Sequence, residues 1–245
     1  LNEAALTQGG FVVGRAAPGT RLALDGRAVR VSPAGDFAFG FGRDHAAQAR
    51  LAITAPAGAA ETRVLNIAKR QWPTESISGL PPAQVTPDAE TLTRIARERE
   101  KLGAIRALES GLTGFAEGFV RPAPGRISGV FGSQRILNGQ PRQPHYGLDF
   151  AAPTGTPVVS CAAGRVTLAD EFHFFGKLIV VDHGHGVNSL YAHLSEIAVR
   201  EGENITKGQR IGAIGMTGRV TGPHLHFSLS WFQQWLDPQP VVLPS

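Results

Sequence analysis

Seven of the chain's eight histidines fall between residues 145 and 226. Imidazole is the side chain best suited to hold a metal or move a proton near neutral pH. Two spacings in that stretch carry chemical meaning. In His224-Leu225-His226, residues i and i+2 of a strand point to one face, so both rings project side by side. Two imidazoles that close either share a metal or divide the work, one binding it and the other acting on its ligand. Upstream, His145-Tyr146-Gly147-Leu148-Asp149 follows Pro144 and contains a glycine, which argues against a helix. A loop running into a strand is expected there, presenting one nitrogen and one oxygen ligand. The stretch Thr217-Gly218-Arg219-Val220-Thr221-Gly222-Pro223 is a turn-forming approach to the second pair, suited to bringing backbone near a bound substrate.

The remaining histidines read differently. His183 and His185 sit in Asp182-His183-Gly184-His185-Gly186, where the glycines signal a turn and a structural role. His173 lies at a loop edge and His45 on a surface loop. Cys161, the only cysteine, excludes an intrachain disulfide and reads as a small buried residue.

His145-x-x-x-Asp149, Tyr191-Ala192-His193-Leu194 and Gly222-Pro223-His224-Leu225-His226 together resemble the three motifs of the lysostaphin-type (LytM-like) zinc metallopeptidases. Phe131-Gly132 and Thr154-Gly155-Thr156-Pro157 suit the same family, and the resemblance covers roughly residues 126–238. It implies that His145, Asp149 and His226 are zinc ligands and that His193 and His224 are unliganded catalytic histidines. All five positions hold the expected residue type. Such a site activates a water at the open zinc position, lowering its pKa to about 7. One free histidine then moves protons and the other supports the water or the oxyanion, and sequence does not divide these two jobs between them. Tyr146, Tyr191, Arg135 and Asn138 flank the motifs and are candidate substrate contacts.

The elements that must position these residues divide the chain into three. Residues 1–70 read as closely spaced short strands, namely Phe11-Val12-Val13, Arg21 to Leu24, Ala28 to Val31, Leu51 to Ile53 and Val64 to Ile67. Asp25-Gly26 marks a tight hairpin turn, and Phe37, Phe39 and Phe41 share one sheet face. A small accessory β-sandwich is expected. Residues 71–120 form a linker containing an amphipathic helix, with Thr86 as N-cap, Pro87 at its first position, and Leu92, Ile95, Leu102, Ile105 and Leu108 on the packed face. Residues 121–245 return to strands separated by glycines, at Val158-Val159, 165–168, 178–181, 189–191, 197–199, 211–214 and 226–229. The fold class expected is therefore mainly β. The resemblance makes the last segment an antiparallel, LytM-like peptidase domain related to barrel-sandwich hybrids.

Bulk properties bound the function. At 42% hydrophobic and 18% charged residues the chain is neither disordered nor fibrous. No apolar run reaches the roughly 20 residues of a membrane span. A net charge of +4 and a pI near 9.7 favour an anionic partner, but the basic residues are scattered without a stripe, which argues against nucleic acid. The chain opens on Leu1, the expectation being a processed product whose targeting signal is absent from this chain. The resemblance implies hydrolysis of cross-linking peptide bonds, with peptidoglycan stem peptides and cross-bridges as substrate, in the periplasm or outside the cell. The accessory β-domain is similar to that of Gram-negative members. A non-catalytic wall-binding regulator of other hydrolases is the alternative. A biotinyl-type carrier hairpin at residues 199–209 is set aside, because Met216 is followed by Thr217 rather than Lys.

Overall fold

The computed structural model describes residues 2–77, 88–137 and 139–243. At the N-terminus, short apolar runs bounded by turn residues become β1 (Phe11–Arg15), β2 (Arg21–Leu24), β3 (Arg27–Val29), β4 (Asp36–Gly40), β5 (Gln48–Thr54) and β6 (Ala60–Asn66). They build two antiparallel sheets, β1-β4 and β3-β2-β5-β6. Between β2 and β3 the turn holds Asp25 at φ 47° and Gly26 at φ 83°, the backbone that a tight primed hairpin requires. Phe37, Phe39 and Phe41 are buried together, with ring centroids 6.0 and 5.7 Å apart.

The connector contributes β7 (Thr74–Ile77) and the helix α1 (Ala89–Ala107). Asp88 caps the helix, its side chain accepting from the Thr91 amide at 2.8 Å. The expected cap, Thr86 with Pro87, lies outside the described residues. Only part of the apolar stripe is used. Leu102 is buried and Ile105 packs beside it, whereas Leu92 and Leu108 stay more than half exposed. The helix buries apolar side chains only towards its C-terminal end, while Arg94, Glu98 and Lys101 hold it to the end of β13 through polar contacts.

The C-terminal strands are β8 (Arg126–Gly129), β9 (Gln134–Leu137), β10 (Gln140–Pro141), β11 (Leu148–Ala151), β12 (Pro157–Val159), β13 (Gly164–Phe172), β14 (Gly176–Gly184), β15 (Val187–Ile197), β16 (Asn204–Ile205), β17 (Arg210–Ile214), β18 (His224–Trp231) and β19 (Gln234–Leu236). Most join one antiparallel sheet in the order β16-β13-β14-β15-β18-β11-β8, with β17 on the end of β15, β12 on β17, and β19 on β18. Residues 197–199 are not a strand of their own. Ile197 ends β15, and the chain then leaves the ladder. The chain is mainly β, as expected, and β7 joins the C-terminal strands by pairing in parallel with β9.

Each face of the sheet buries a different set. Phe150, Val181, Tyr191, Leu194, Leu225 and Phe227 fill one side. On the other, Leu168, Leu178, Val180, Leu190 and Ala192 receive Leu102 of α1. A third core crosses the chain: Phe11, Phe37, Phe39 and Phe41 pack with Val187, Leu229, Trp231 and Leu236. The N-terminal sheets therefore rest on the β18–β19 edge through continuous apolar contact, reinforced by Arg70 Nη1 and Asp237 Oδ2 at 2.7 Å.

Candidate metal centre and active site

β11 and β18 run antiparallel with Asp149 directly opposite His226, so the carboxylate and the ring are cross-strand neighbours on one face. His145 reaches them from the loop before β11. That loop is held by two backbone bonds, His145 N–H to Ser133 O at 2.8 Å and Gly132 N–H to His145 O at 2.7 Å. Gly147 allows the close approach: a Cβ there would lie 2.5 Å from His226 Cε1 and 2.7 Å from the Phe227 carbonyl oxygen.

His145 Nε2 is 3.0 Å from Asp149 Oδ1 and 3.0 Å from His226 Nδ1, which is itself 2.9 Å from Asp149 Oδ1. All three residues are buried. The outer nitrogen of each ring has its own partner. His145 Nδ1 faces the Val130 carbonyl at 3.0 Å and so carries its proton there, leaving the lone pair on Nε2. His226 Nε2 is 2.8 Å from Ser228 Oγ, which orients the ring with Nδ1 inward. Two nitrogen lone pairs and a carboxylate oxygen thus converge on one point. Tetrahedral ligands about 2.0–2.1 Å from zinc sit roughly 3.3 Å from each other, so the donor set fits a divalent cation. Burial alone would raise the Asp149 carboxyl, but the adjoining His145 and His226 rings hold it well below the usual carboxylate range. Burial lowers His226 to about 4. Both groups are therefore in the unprotonated form that ligation needs.

His193 reaches this face by an irregularity. Ala192 pairs with His226 and shares its face, and strict alternation would send the next side chain to the opposite core. His193 instead adopts φ 63°, and Leu194 rejoins the Tyr191 side. Two successive residues thus point to the catalytic face, as in a β-bulge. The left-handed backbone stores roughly 1–3 kcal/mol of strain at this one position. His193 lies with its ring centroid 4.9 Å from His224 and 5.9 Å from His226. Its Nδ1 donates to the Thr217 carbonyl at 2.9 Å, and His224 Nδ1 donates to the Gly222 carbonyl at 2.9 Å. Both rings therefore keep their lone pair on Nε2. Burial first, then the neighbouring His226 and His224, pushes His193 down to about 3, so it is neutral at physiological pH.

Arginines rim the site. Arg135 Nη2 stands 3.6 Å from Asp149 Oδ2, and its Nε is 3.6 Å from Glu75 Oε2 on β7. Burial, then Arg135 and Arg142, lowers Arg219, whose guanidinium covers the Phe174 ring at 4.0 Å. The five histidine and aspartate positions singled out from sequence are brought together, with Arg135 and Tyr146 beside them. Tyr191 is not a substrate contact. It is fully buried, with its hydroxyl accepting from the Cys161 amide at 2.8 Å and 3.0 Å from Ser189 Oγ. Asn138 lies outside the described residues. His183 is buried with Cys161 and Ser189, His185 occupies the β14–β15 turn, and His173 the β13–β14 turn. Ser228 escaped the sequence reading, although its i+2 spacing from His226 placed it on the same face. The backbone acceptors of Val130, Thr217 and Gly222 have no side-chain signal at all.

Residues 143–238 match peptidase family M23. Over 105 residues, 42% of this chain and 24% of the relative, the sequence is 45% identical to the peptidoglycan DD-endopeptidase ShyA of Vibrio cholerae. It is 41% identical over 120 residues to the DD-carboxypeptidase/endopeptidase Mpg of Neisseria meningitidis, covering 49% of this chain and 28% of that protein. The chain thus spans only about a quarter of the length of these curated relatives. A crystal structure of a putative M23 peptidase from Pseudomonas aeruginosa superposes with a TM-score of 0.75 at 28% identity, covering 96% of this chain and 94% of that one. The similarity to that structure extends across nearly the whole chain, and the five convergent side chains all lie within the segment that matches peptidase family M23, a LytM-like peptidase domain.

Proposed function

We propose that the chain is a zinc-dependent endopeptidase that hydrolyses amide bonds in the cross-linking peptides of bacterial peptidoglycan. The observation that carries this reading is the convergence of His145 Nε2, Asp149 Oδ1 and His226 Nδ1 within 3.0 Å of one another, with His193 and His224 alongside. His145, Asp149 and His226 are the residues that would hold the cation. When bound, the metal supplies Lewis-acid polarisation of the scissile carbonyl and acidifies the attacking water. The chain's own residues do the rest. His224 Nε2 accepts the proton of the attacking water and passes it to the leaving amine. His193, kept neutral by burial, keeps its Nε2 free to accept a hydrogen bond from the attacking water and so orient it. Gly222 and Thr217 carbonyls hold the two rings in the tautomers this requires.

Relatives named DD-endopeptidases support a cross-link of the DD type rather than a glycine bridge, and a working place in the cell envelope, in a periplasm. The competing reading, a wall-binding regulator without turnover, draws on no observation among the described residues. Mass spectrometry of fragments released from defined peptidoglycan, with and without a chelator, tests the proposal. Release of peptide-cut fragments that stops on chelation and returns with zinc is expected. A zinc-loaded chain that leaves cross-links intact would sink it.

A further inference from the structure

Where the N-terminal sheets meet the β18–β19 hairpin, the surface holds an open cavity of about 510 Å³. That is within the range of about 300–1,000 Å³ typical of ligand sites. Its wall includes Tyr146, which follows His145 in the chain.

The lining has a specific chemistry. Trp235 and Tyr146 present half-exposed rings, centroids 6.5 Å apart and nearly parallel at 17°. Trp235 is fixed from behind by the Arg106 guanidinium, 3.4 Å from its ring. The same wall carries planar polar groups, the exposed Gln234 amide and the Asp44 and Asp25 carboxylates. The pocket is electrically balanced. Arg27 and Arg43 offset Asp25 and Asp44, and the charges are already engaged within the wall. Arg43 Nη1 pairs with Asp44 at 2.7 Å, His45 Nε2 lies 3.5 Å from Asp25, and Arg27 covers the Phe232 ring at 3.6 Å. A charged ligand would find no surplus countercharge here, in contrast to the arginine rim of the metal site. A neutral ring fits, one with an apolar face to lie on an aromatic side chain and hydroxyl or acetamido groups at its edge for amides and carboxylates.

We propose that this pocket is a saccharide subsite, binding a neutral N-acetylated sugar of the glycan strand next to the peptide being cut. The inference rests on the reading of the chain as a peptidoglycan hydrolase. It assigns the N-terminal sheets a share of substrate recognition, since Asp25, Arg43 and Asp44 come from them.

The test is a titration of the full chain with a peptide-free hexamer of N-acetylglucosamine, followed by tryptophan fluorescence, because Trp231 and Trp235 both line the cavity. Saturable binding is expected, weakened at least five-fold by Gln234→Ala and by Asp44→Ala, both at exposed positions. Trp235→Ala should remove it. Cleavage of a sugar-free cross-linked peptide dimer is measured alongside. A chain that cuts the dimer yet shows no sugar binding, or binding indifferent to the Gln234 and Asp44 changes, overturns the subsite and leaves the hydrolase reading standing. Binding that depends on those residues upholds the subsite whatever the dimer shows. Displacement of the sugar by a sugar-free stem peptide at the same residues would count against it.

Discussion

The two β regions of this chain use the same backbone pattern for opposite ends. In the N-terminal sheets the buried side chains are almost all apolar, Phe39 and Leu51 among them, with Thr20 and Ser32 the buried polar residues among those described. The sheet built around β14, β15 and β18 buries His145, Asp149, His183, Ser189, His193, His226, Ser228 and Ser230. Nearly every one has a named partner, as buried polar groups must. A strand face becomes chemically useful when polar groups are sequestered from water and each is turned by a neighbour, leaving lone pairs aimed at a common point. Among the described residues, the N-terminal sheets converge no such buried groups on one point, and what they give this face is packing.

That contrast can be broken from either side. The largest effect is expected from His226→Ala, which removes a proposed ligand and leaves Asp149 without one of the two rings beside it. Metal content measured by atomic emission should fall to background, and turnover with it. His224→Ala should retain the metal and lose about 10²–10⁴-fold in kcat. A metal-loaded His224→Ala protein cutting at the parent rate would refute its assigned role. On the other side, Phe39→Ala should cost about 3–5 kcal/mol of stability in denaturant titration. Because Phe39 shares a core with Leu229 and Trp231, unfolding should remain a single transition, and two separated transitions would show the regions to be independent.

Acid should expose the same difference. Burial lowers His183 to about 4, whereas an unfolded histidine titrates near 6.5. Between those values the unfolded chain holds a proton that the native chain refuses, so stability falls as pH drops. From pH 7 to pH 5 this group alone should remove about 2 kcal/mol. Thermal melts across that range should show a shallower pH dependence for His183→Gln than for the parent. The smallest effect is expected from Ser228→Ala. Losing the group that orients His226 should weaken metal affinity about 10–100-fold without unfolding the protein, as read by competition with a chelator.

Side-chain type and spacing were enough to single out His145, Asp149, His224 and His226, because a metal site demands particular donors and a strand puts i and i+2 on one face, whereas His193 was nominated only by the resemblance of its motif. The hairpin at Asp25-Gly26 was equally legible, since few residues accept positive φ. Other features were not. Tyr191 sits in the same motif as His193 but faces the core, and only the strand's packing reveals which side is which. Leu92 matches the helix stripe of Leu102 yet stays more than half exposed, because the apolar packing of α1 lies further along the helix.

Sequence alone determined the donor inventory, the β class and the turn positions, since these depend on the chemistry of single residues and their nearest neighbours. Tertiary structure decided that Asp149 stands opposite His226, that His193 turns against the alternation of its strand, and that Phe39 and Leu229 share a core. Those outcomes depend on register and on contacts between segments distant in the chain, and the free energy that selects them comes from burial of whole faces rather than from any local preference.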